Sequence, residues 1–391
     1  MQNLKGAYFI GIFLMYITSM YPWFVWNNNI SVYVCMFTCF MSIYCMCFQS
    51  KMYIQLSVKN VVFFLILFFT LIYESSILNI NGKILYIYVY IVILSLSLLK
   101  PEYQSELLRF ITKYFAIFLL ISLIAYILYF IKLFPISPTY IENSDGRYGS
   151  LNYYLFILTL RDSLVDFVRF KSVFMEPGHL TMGLVPLIFA NKFNLKNKYV
   201  LILFVSALFT FSLAAYVVMS ICYFLLNFNY KNIKRLIISV LVVIASLFII
   251  YNCGYGEILD EFIMDRLEFT GGFNIAGDNR VTDEFEVVYK SVINSQYVYF
   301  GNDAIDINAF GGISGYKKYL VQYGIFGCIL VLLLYSTFFF QYRSHSLFAY
   351  SLVFIMLLYQ NAYPFWNCVI IMYVLGSCIY KNENKNIIYR P

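Results

Sequence analysis

The sequence predicts an all-α polytopic integral membrane protein with about twelve transmembrane helices, both termini cytoplasmic, and two large loops on the outer face. Three observations predict it. The 391 residues are 62% hydrophobic and only 12% charged, too few charges to keep the surface of a soluble domain of this length wet. Apolar runs able to cross a hydrocarbon core of roughly 30 Å recur along the whole chain. The charges between those runs are sorted by sign.

The runs lie at about 8–25, 30–48, 60–77, 84–99, 110–133, 177–191, 199–227, 236–251, 318–340, 347–361 and 364–380. The first follows Met-Gln-Asn-Leu-Lys and carries no small-residue cleavage signature, so it reads as an uncleaved span. The run 199–227 is ambiguous, because one helix of its 29 residues would reach about 43 Å. Lys192, Lys196 and Lys198 flank one end, and Lys231, Lys234 and Arg235 flank the other. The positive-inside rule places both ends in the cytoplasm. The run therefore divides into a hairpin of two short spans, breaking near Thr210-Phe-Ser-Leu, which brings the count to twelve.

The charges agree with this topology. Cytoplasmic segments hold 16 of the 27 Lys and Arg but only Glu102, Glu106 and Glu383 of the 20 acids. The other acids lie outside, nearly all of them in two loops, 134–176 and 252–317. Every other connection is short, and nothing marks a separate soluble domain, so residues 1–391 form a single membrane domain. Long loops in a compact protein are usually functional or disordered. The first carries an amphipathic stretch from Tyr153 to Asp162. The second has helix-like spacing from Ile258 to Leu267, a glycine-rich turn from Gly271 to Arg280, and a short helix from Asp283 to Ile293. The net charge of +7 is spread over short loops with no nucleic-acid motif. Eight of the nine Cys fall in or beside apolar runs and read as packing residues, with Cys253 alone bordering a loop. Small residues suited to close helix packing are Gly183, Ser206, Ala207, Ser212, Ala214 and Ala215.

The densest chemistry is at residues 169–183, Arg169-Phe-Lys-Ser-Val-Phe-Met-Glu-Pro-Gly-His-Leu-Thr-Met-Gly. Pro177 suits the first position of a helix, where its missing N–H would be unpaired anyway. Glu176 then stands at the cap and His179 less than one turn further in. The exposed N–H groups of such a terminus favour anions, phosphates included. The plainer reading is that Glu176 only caps the helix while Arg169 and Lys171 anchor the chain at the interface. Walker, Rossmann, His-Glu-x-x-His and Gly-x-Ser-x-Gly signatures are absent. Charge within the spans is sparse, so nothing inside the bundle argues for ion-coupled transport.

These stretches resemble the bacterial O-antigen polymerases (Wzy type) and their relatives, the O-antigen ligases. Arg-x-x-Ser-Val-Phe-x-Glu-Pro-Gly at 169–178 looks like the end of the family's first large periplasmic loop. Leu208-Phe-Thr-Phe-Ser-Leu-Ala-Ala-Tyr looks like its small-residue break between adjacent spans. Gly277-Asp-Asn-Arg280 with Tyr299-Phe-Gly-Asn looks like the second loop, and Tyr319-Leu-Val-Gln-Tyr-Gly-Ile-Phe-Gly like the entry to the next span. The likeness covers roughly 165–330 in motifs and the whole chain in topology. It departs from the ligases, whose second loop carries a histidine where the nearest position here is Tyr316.

The resemblance implies a GT-C-like architecture in the bacterial inner membrane and a lipid-dependent glycosyltransferase. A glycan on undecaprenyl pyrophosphate would move onto the next lipid-linked repeat unit at the periplasmic face. Arg169 and Arg280 would clamp the pyrophosphate, with Lys171, Arg147 and Arg161 as weaker substrate contacts. Glu176 would be the base, His179 its helper or the base itself, and Asp278 would orient Arg280. No cofactor, metal or nucleic acid is implied; membrane lipids and a chain-length regulator are the further partners. The alternatives are an O-antigen ligase joining polymer to lipid A–core, and a polysaccharide flippase or transporter of the same span number.

Overall fold

The computed structural model describes residues 2–26, 28–54, 57–76, 80–131, 133, 137–142, 150–154, 156–160, 169–227, 269–271, 274–275, 282–302, 304–305, 307, 310, 315–360 and 366–388. Among these the chain is mostly helical. Helices α1 (Gln2–Thr18), α2 (Ile30–Phe48), α3 (Val58–Ser75), α4 (Ile80–Leu98) and α5 (Pro101–Phe130) come first. A small sheet follows, then α6 (Pro177–Ala190), α7 (Lys198–Phe209) and α8 (Leu213–Leu226). Two short helices, α9 (Asp283–Ile293) and α10 (Tyr297–Phe300), precede α11 (Gly315–Tyr342), α12 (His345–Gln360) and α13 (Asn367–Ile388).

Four of these helices are long and apolar enough to cross a membrane, Ile30–Phe48, Val58–Ser75, Pro101–Tyr129 and Gly315–Tyr342, and seven shorter apolar helices accompany them. The expected apolar runs fall on these helices, except that the run at 236–251 lies outside the described residues. The run 199–227 is broken where expected, with α7 ending at Phe209 and α8 starting at Leu213. The first run stops early, at Thr18, because Tyr21 takes a left-handed φ of 60° and Pro22 follows it.

Burial sorts the helices into centre and rim. In α6 every residue from Leu180 to Ala190 is buried, and α13 is buried almost all round from Cys368 to Tyr380. A helix that is apolar on every side belongs in the core. Close approach there depends on small residues. A Cβ on Gly183 would strike Met20 Sδ in the turn after α1, and one on Gly376 of α13 would strike the Tyr350 hydroxyl and come within 2.9 Å of Ala190 Cβ. Tyr335, Phe354 and Tyr373 fill the space alongside, with ring centroids 5.0–5.4 Å apart. Large apolar side chains such as Phe37, Phe40, Leu65, Phe69, Ile121 and Leu332 are exposed around the rim, the face that suits lipid.

Polar contacts gather the helix ends. Lys5 at the start of α1 pairs with Glu106 at the start of α5 at 2.5 Å. Asn191, after α6, donates to Thr112 of α5 at 2.9 Å. Lys192 lies 5.9 Å from the Tyr380 ring of α13. The starts of α1 and α5 and the ends of α6 and α13 therefore share one end of the bundle.

The expectation of an all-α chain is corrected in the first long loop. Strands β1 (Thr139–Glu142), β2 (Ser150–Tyr154) and β3 (Ile157–Leu160) form an antiparallel sheet. A shorter pair, β4 (Phe269–Gly271) and β5 (Asn274–Ile275), lies in the second loop. The stretch from Tyr153 supplies the end of β2 and the whole of β3, whose Ile157, Leu158 and Thr159 are all buried. Leu151 and Leu158 turn inward and pack with Trp26 and Met175. In the second loop α9 spans the expected residues. Thr282 caps it, accepting from Phe285 N, and Asp283, Glu284 and Glu286 occupy its first turn, where acids oppose the helix dipole favourably. The stretch 258–267 lies outside the described residues.

Helix α11 is broken at Gly324, with φ 62° and ψ −171°. The turn after α10 fits into that break. Asn302 N donates to Val321 O at 2.8 Å. A Cβ on Gly324 would meet the backbone of Tyr299, and one on Gly301 (φ 81°) would meet that of Gln322. Only glycine takes these dihedrals at no steric cost.

Gly376→Val should destabilise the bundle by about 1–3 kcal/mol through overpacking, lowering the melting temperature of detergent-purified protein. An unchanged melting temperature would contradict the close α6–α12–α13 contact.

Candidate functional site

The segment 169–176 enters α6 through four other parts of the chain. The break between α7 and α8 is the first. A helix end leaves its last carbonyls without intrahelical partners, and here the three consecutive ones at 209–211 are taken from outside the α7 ladder. Tyr216 hydroxyl donates to Leu208 O just before them. Phe170 N donates to Phe209 O at 3.1 Å. The Arg169 guanidinium reaches the remaining pair, Nε to Thr210 O at 3.0 Å and Nη2 to Phe211 O at 2.8 Å. The other three parts bind the segment's backbone and rings. Trp23 N donates to Val173 O at 3.0 Å, Met175 N to Tyr21 O at 3.4 Å, and Leu158 N of β3 to Ser172 O at 3.0 Å. On the α5 side, Phe170 packs against Tyr126 at 5.2 Å and Phe174 against Phe115 at 6.3 Å.

This junction stores backbone strain. Tyr21, Phe156, Ser172 and Phe211 all have left-handed φ, between 47° and 64°, and each sits on a piece of chain that meets there. Side chains of this bulk avoid the region, and each such residue costs of order 1–3 kcal/mol. Strain of this kind persists where surrounding contacts over-determine it, and it clusters at functional sites.

The functional side chains follow from this frame. Glu176 is the N-cap residue, with φ −131° and ψ 152°, and Pro177 is at the first helical position. Its carboxylate makes no capping hydrogen bond, so capping by the side chain, the plainer expectation, is not what occurs. His179 is half-buried, edge-on to Tyr21 at 6.2 Å and to Trp366 at 5.0 Å. Trp366 immediately precedes α13, so the imidazole lies where α1, α6 and α13 converge. Lys171 is 8% exposed. Burial, and then the neighbouring Arg169 charge, push its ammonium down to about 8. Next to it Ser172 is fully buried and its Oγ has no hydrogen-bond partner.

Arg169, Lys171, Glu176 and His179 thus lie on one segment entering α6, with Arg169 beside Lys171 and His179 between Tyr21 and Trp366. Arg147, Arg161, Asp278 and Arg280 lie outside the described residues. Among the described residues no three His, Cys, Asp or Glu side chains gather in a way that could hold a metal ion.

A second polar centre lies between α3, α4 and α11. The sequence reading places Glu74 with the outer acids, yet it is 1% exposed. Its carboxylate accepts from Tyr319 hydroxyl at 2.5 Å and from Tyr86 hydroxyl at 3.3 Å. Tyr323 hydroxyl reaches its backbone oxygen at 3.4 Å. One residue earlier, Tyr73 hydroxyl shares its one proton between Phe300 O and Tyr323 O, both at 2.9 Å. This centre ties α3 and α4 to the N-terminal part of α11. The sequence did carry a signal for it, because Leu67, Thr70, Leu71 and Glu74 continue one buried stripe at helical spacing.

Comparison with family models, with curated proteins and with solved structures gives no match.

Two outcomes follow. Tyr319→Phe should cost about 1–3 kcal/mol by leaving a buried carboxylate oxygen short of a donor, and denaturant titration of purified protein measures it. Lys171 is the second case, with an ordinary value of 10.5 lowered to about 8. Between those limits the unfolded chain binds more protons than the folded one, so stability rises with pH across the window. The melting temperature should climb from about pH 8 to about pH 10.5, and Lys171→Met should flatten the climb. Parallel profiles for the two proteins would show that the lysine is not buried as a charge.

Proposed function

We propose that this chain is a surface-polysaccharide polymerase of the O-antigen type, an enzyme that transfers a glycan from undecaprenyl pyrophosphate to the next lipid-linked repeat unit. In this reading twelve helices span the bacterial inner membrane with both termini cytoplasmic. The loops 134–176 and 252–317 are periplasmic. The observation that carries it is the gathering of Arg169, Lys171, Glu176 and His179 on one over-determined segment at the mouth of α6. The shared end of α1, α5, α6 and α13 supports the placing of both termini on one side.

The chemistry asks little of the protein beyond charge and position. The bond between the sugar's anomeric carbon and the pyrophosphate oxygen breaks, and the lipid pyrophosphate leaves with the electron pair. The acceptor hydroxyl oxygen forms the new bond and gives up its proton. Glu176 is the carboxylate positioned to take that proton, with His179 one turn away as its helper. Cations beside the leaving group balance its growing charge, a role for the segment's basic residues together with Arg280 from the second loop.

One observation favours a second reading. Glu74 is a buried carboxylate within the bundle, and intramembrane ionisable groups mark ion or proton paths in transporters. A lipopolysaccharide gel from a deletion strain separates the two. Core bearing a single repeat unit and no ladder is expected of a polymerase, while bare core would point to a flippase or a ligase. Complementation with Glu176→Gln should leave the ladder absent, since a positioned base contributes roughly 10²–10⁴-fold. A full ladder from that variant would remove Glu176 from the mechanism.

A further inference from the structure

The site holds two cations with different commitments. Arg169 has its guanidinium turned to the α7–α8 break, where Nε and Nη2 serve the carbonyls of Thr210 and Phe211. Lys171 is 8% exposed, and among the described residues its ammonium has neither an ion-pair nor a hydrogen-bond partner. Its electrostatic neighbour is Arg169, a like charge. The lysine stem is buried and its nitrogen is held by no acceptor among the described residues, so a second cation beside it adds to the cost of keeping it charged. The adjoining Ser172 repeats the pattern on a smaller scale, with a fully buried hydroxyl that has no partner and a backbone held at φ 54°.

Adjacent unsatisfied donors in a rigid segment describe a receptor for an acceptor-rich anion. We propose that Lys171, with the Ser172 hydroxyl beside it, is the phosphate-binding group of this site, and that Arg169 acts by holding their segment on the α7–α8 break. The ligand class is a phosphate or pyrophosphate ester. Its identification with a lipid pyrophosphate rests on the polymerase reading, whereas the anion site itself does not. Phosphate oxygens supply the acceptors that the protein withholds, and their charge offsets the repulsion between Lys171 and Arg169. The sequence pattern ranks the two basic residues the other way, because arginine's planar fork suits phosphate better in isolation. The carbonyls at the break reverse that order.

The test uses full-length protein in phosphatidylcholine nanodiscs, titrated with inorganic pyrophosphate by calorimetry. Wild type should bind, Lys171→Gln should bind at least ten-fold more weakly, Lys171→Arg should stay within a few-fold of wild type, and Ser172→Ala should lie between. Lys171→Gln removes a buried charge, so its melting temperature should equal or exceed that of wild type and the lost binding is not lost folding. Wild-type strength in Lys171→Gln, or no binding by wild type, would overturn the proposal. Adding undecaprenyl pyrophosphate to one set of discs and phosphatidylglycerol to another identifies the source. Stabilisation dependent on Lys171 by the first alone supports the lipid donor, and equal stabilisation by both makes the site a receptor for lipid headgroups. Pyrophosphate binding that survives while the deletion strain keeps its ladder would remove the polymerase reading and leave the anion site standing.

Discussion

A helix that stops inside an apolar bundle leaves carbonyl groups that neither lipid nor water can satisfy, and the rest of this site depends on how that is met. The stop is at Phe209, and residues 209–211 present three such groups in a row. An unsatisfied backbone group in hydrocarbon costs several kcal/mol, so the break can exist only if something brings donors to it. Arg169 and Phe170 bring all three. In doing so they fix the direction in which the chain enters α6, and so fix Lys171, Glu176 and His179 as well. A charged fork reading two carbonyls is a structural use of arginine, and it leaves the neighbouring lysine as the cation with nothing to do in the resting protein.

The strain around the junction has the same origin. The segment 169–176 is bound by α1's outgoing turn, by β3, by α5 and by the α7–α8 break at once. Satisfying every backbone partner forces Tyr21, Phe156, Ser172 and Phe211 into left-handed dihedrals. The core of α6 and α13 supplies the packing that sustains this, through Gly183 and Gly376. A rigid mouth on a rigid helix is what a group-transfer site requires, because misplacement by about 1 Å can cost two orders of magnitude in rate.

What the sequence made legible is local. The start of α6 was readable from Pro177, the α7–α8 break from the basic residues flanking 199–227, and α9 from Thr282 and the acids after it. Each of these signals lies within a few residues of the feature it sets. What it hid is tertiary. Glu74 looked like one more outer acid because its partner, Tyr319, is 245 positions away. The sheet in the first loop depends on β2 finding both β1 and β3 and on Leu151 and Leu158 finding Trp26 and Met175. The use of Arg169 could not be read from its own motif, since the atoms it serves are some 41 residues further along.

Reconstitution shows whether the mouth of α6 carries out the proposed glycosyl transfer. Purified protein in proteoliposomes is given lipid-linked repeat units, and the lipid-linked products are sized. A polymerase should give longer glycans with stoichiometric release of undecaprenyl pyrophosphate from wild type, and neither from folded Glu176→Gln. Repeat units that stay single, or that cross the membrane intact without forming a bond, would contradict that reading.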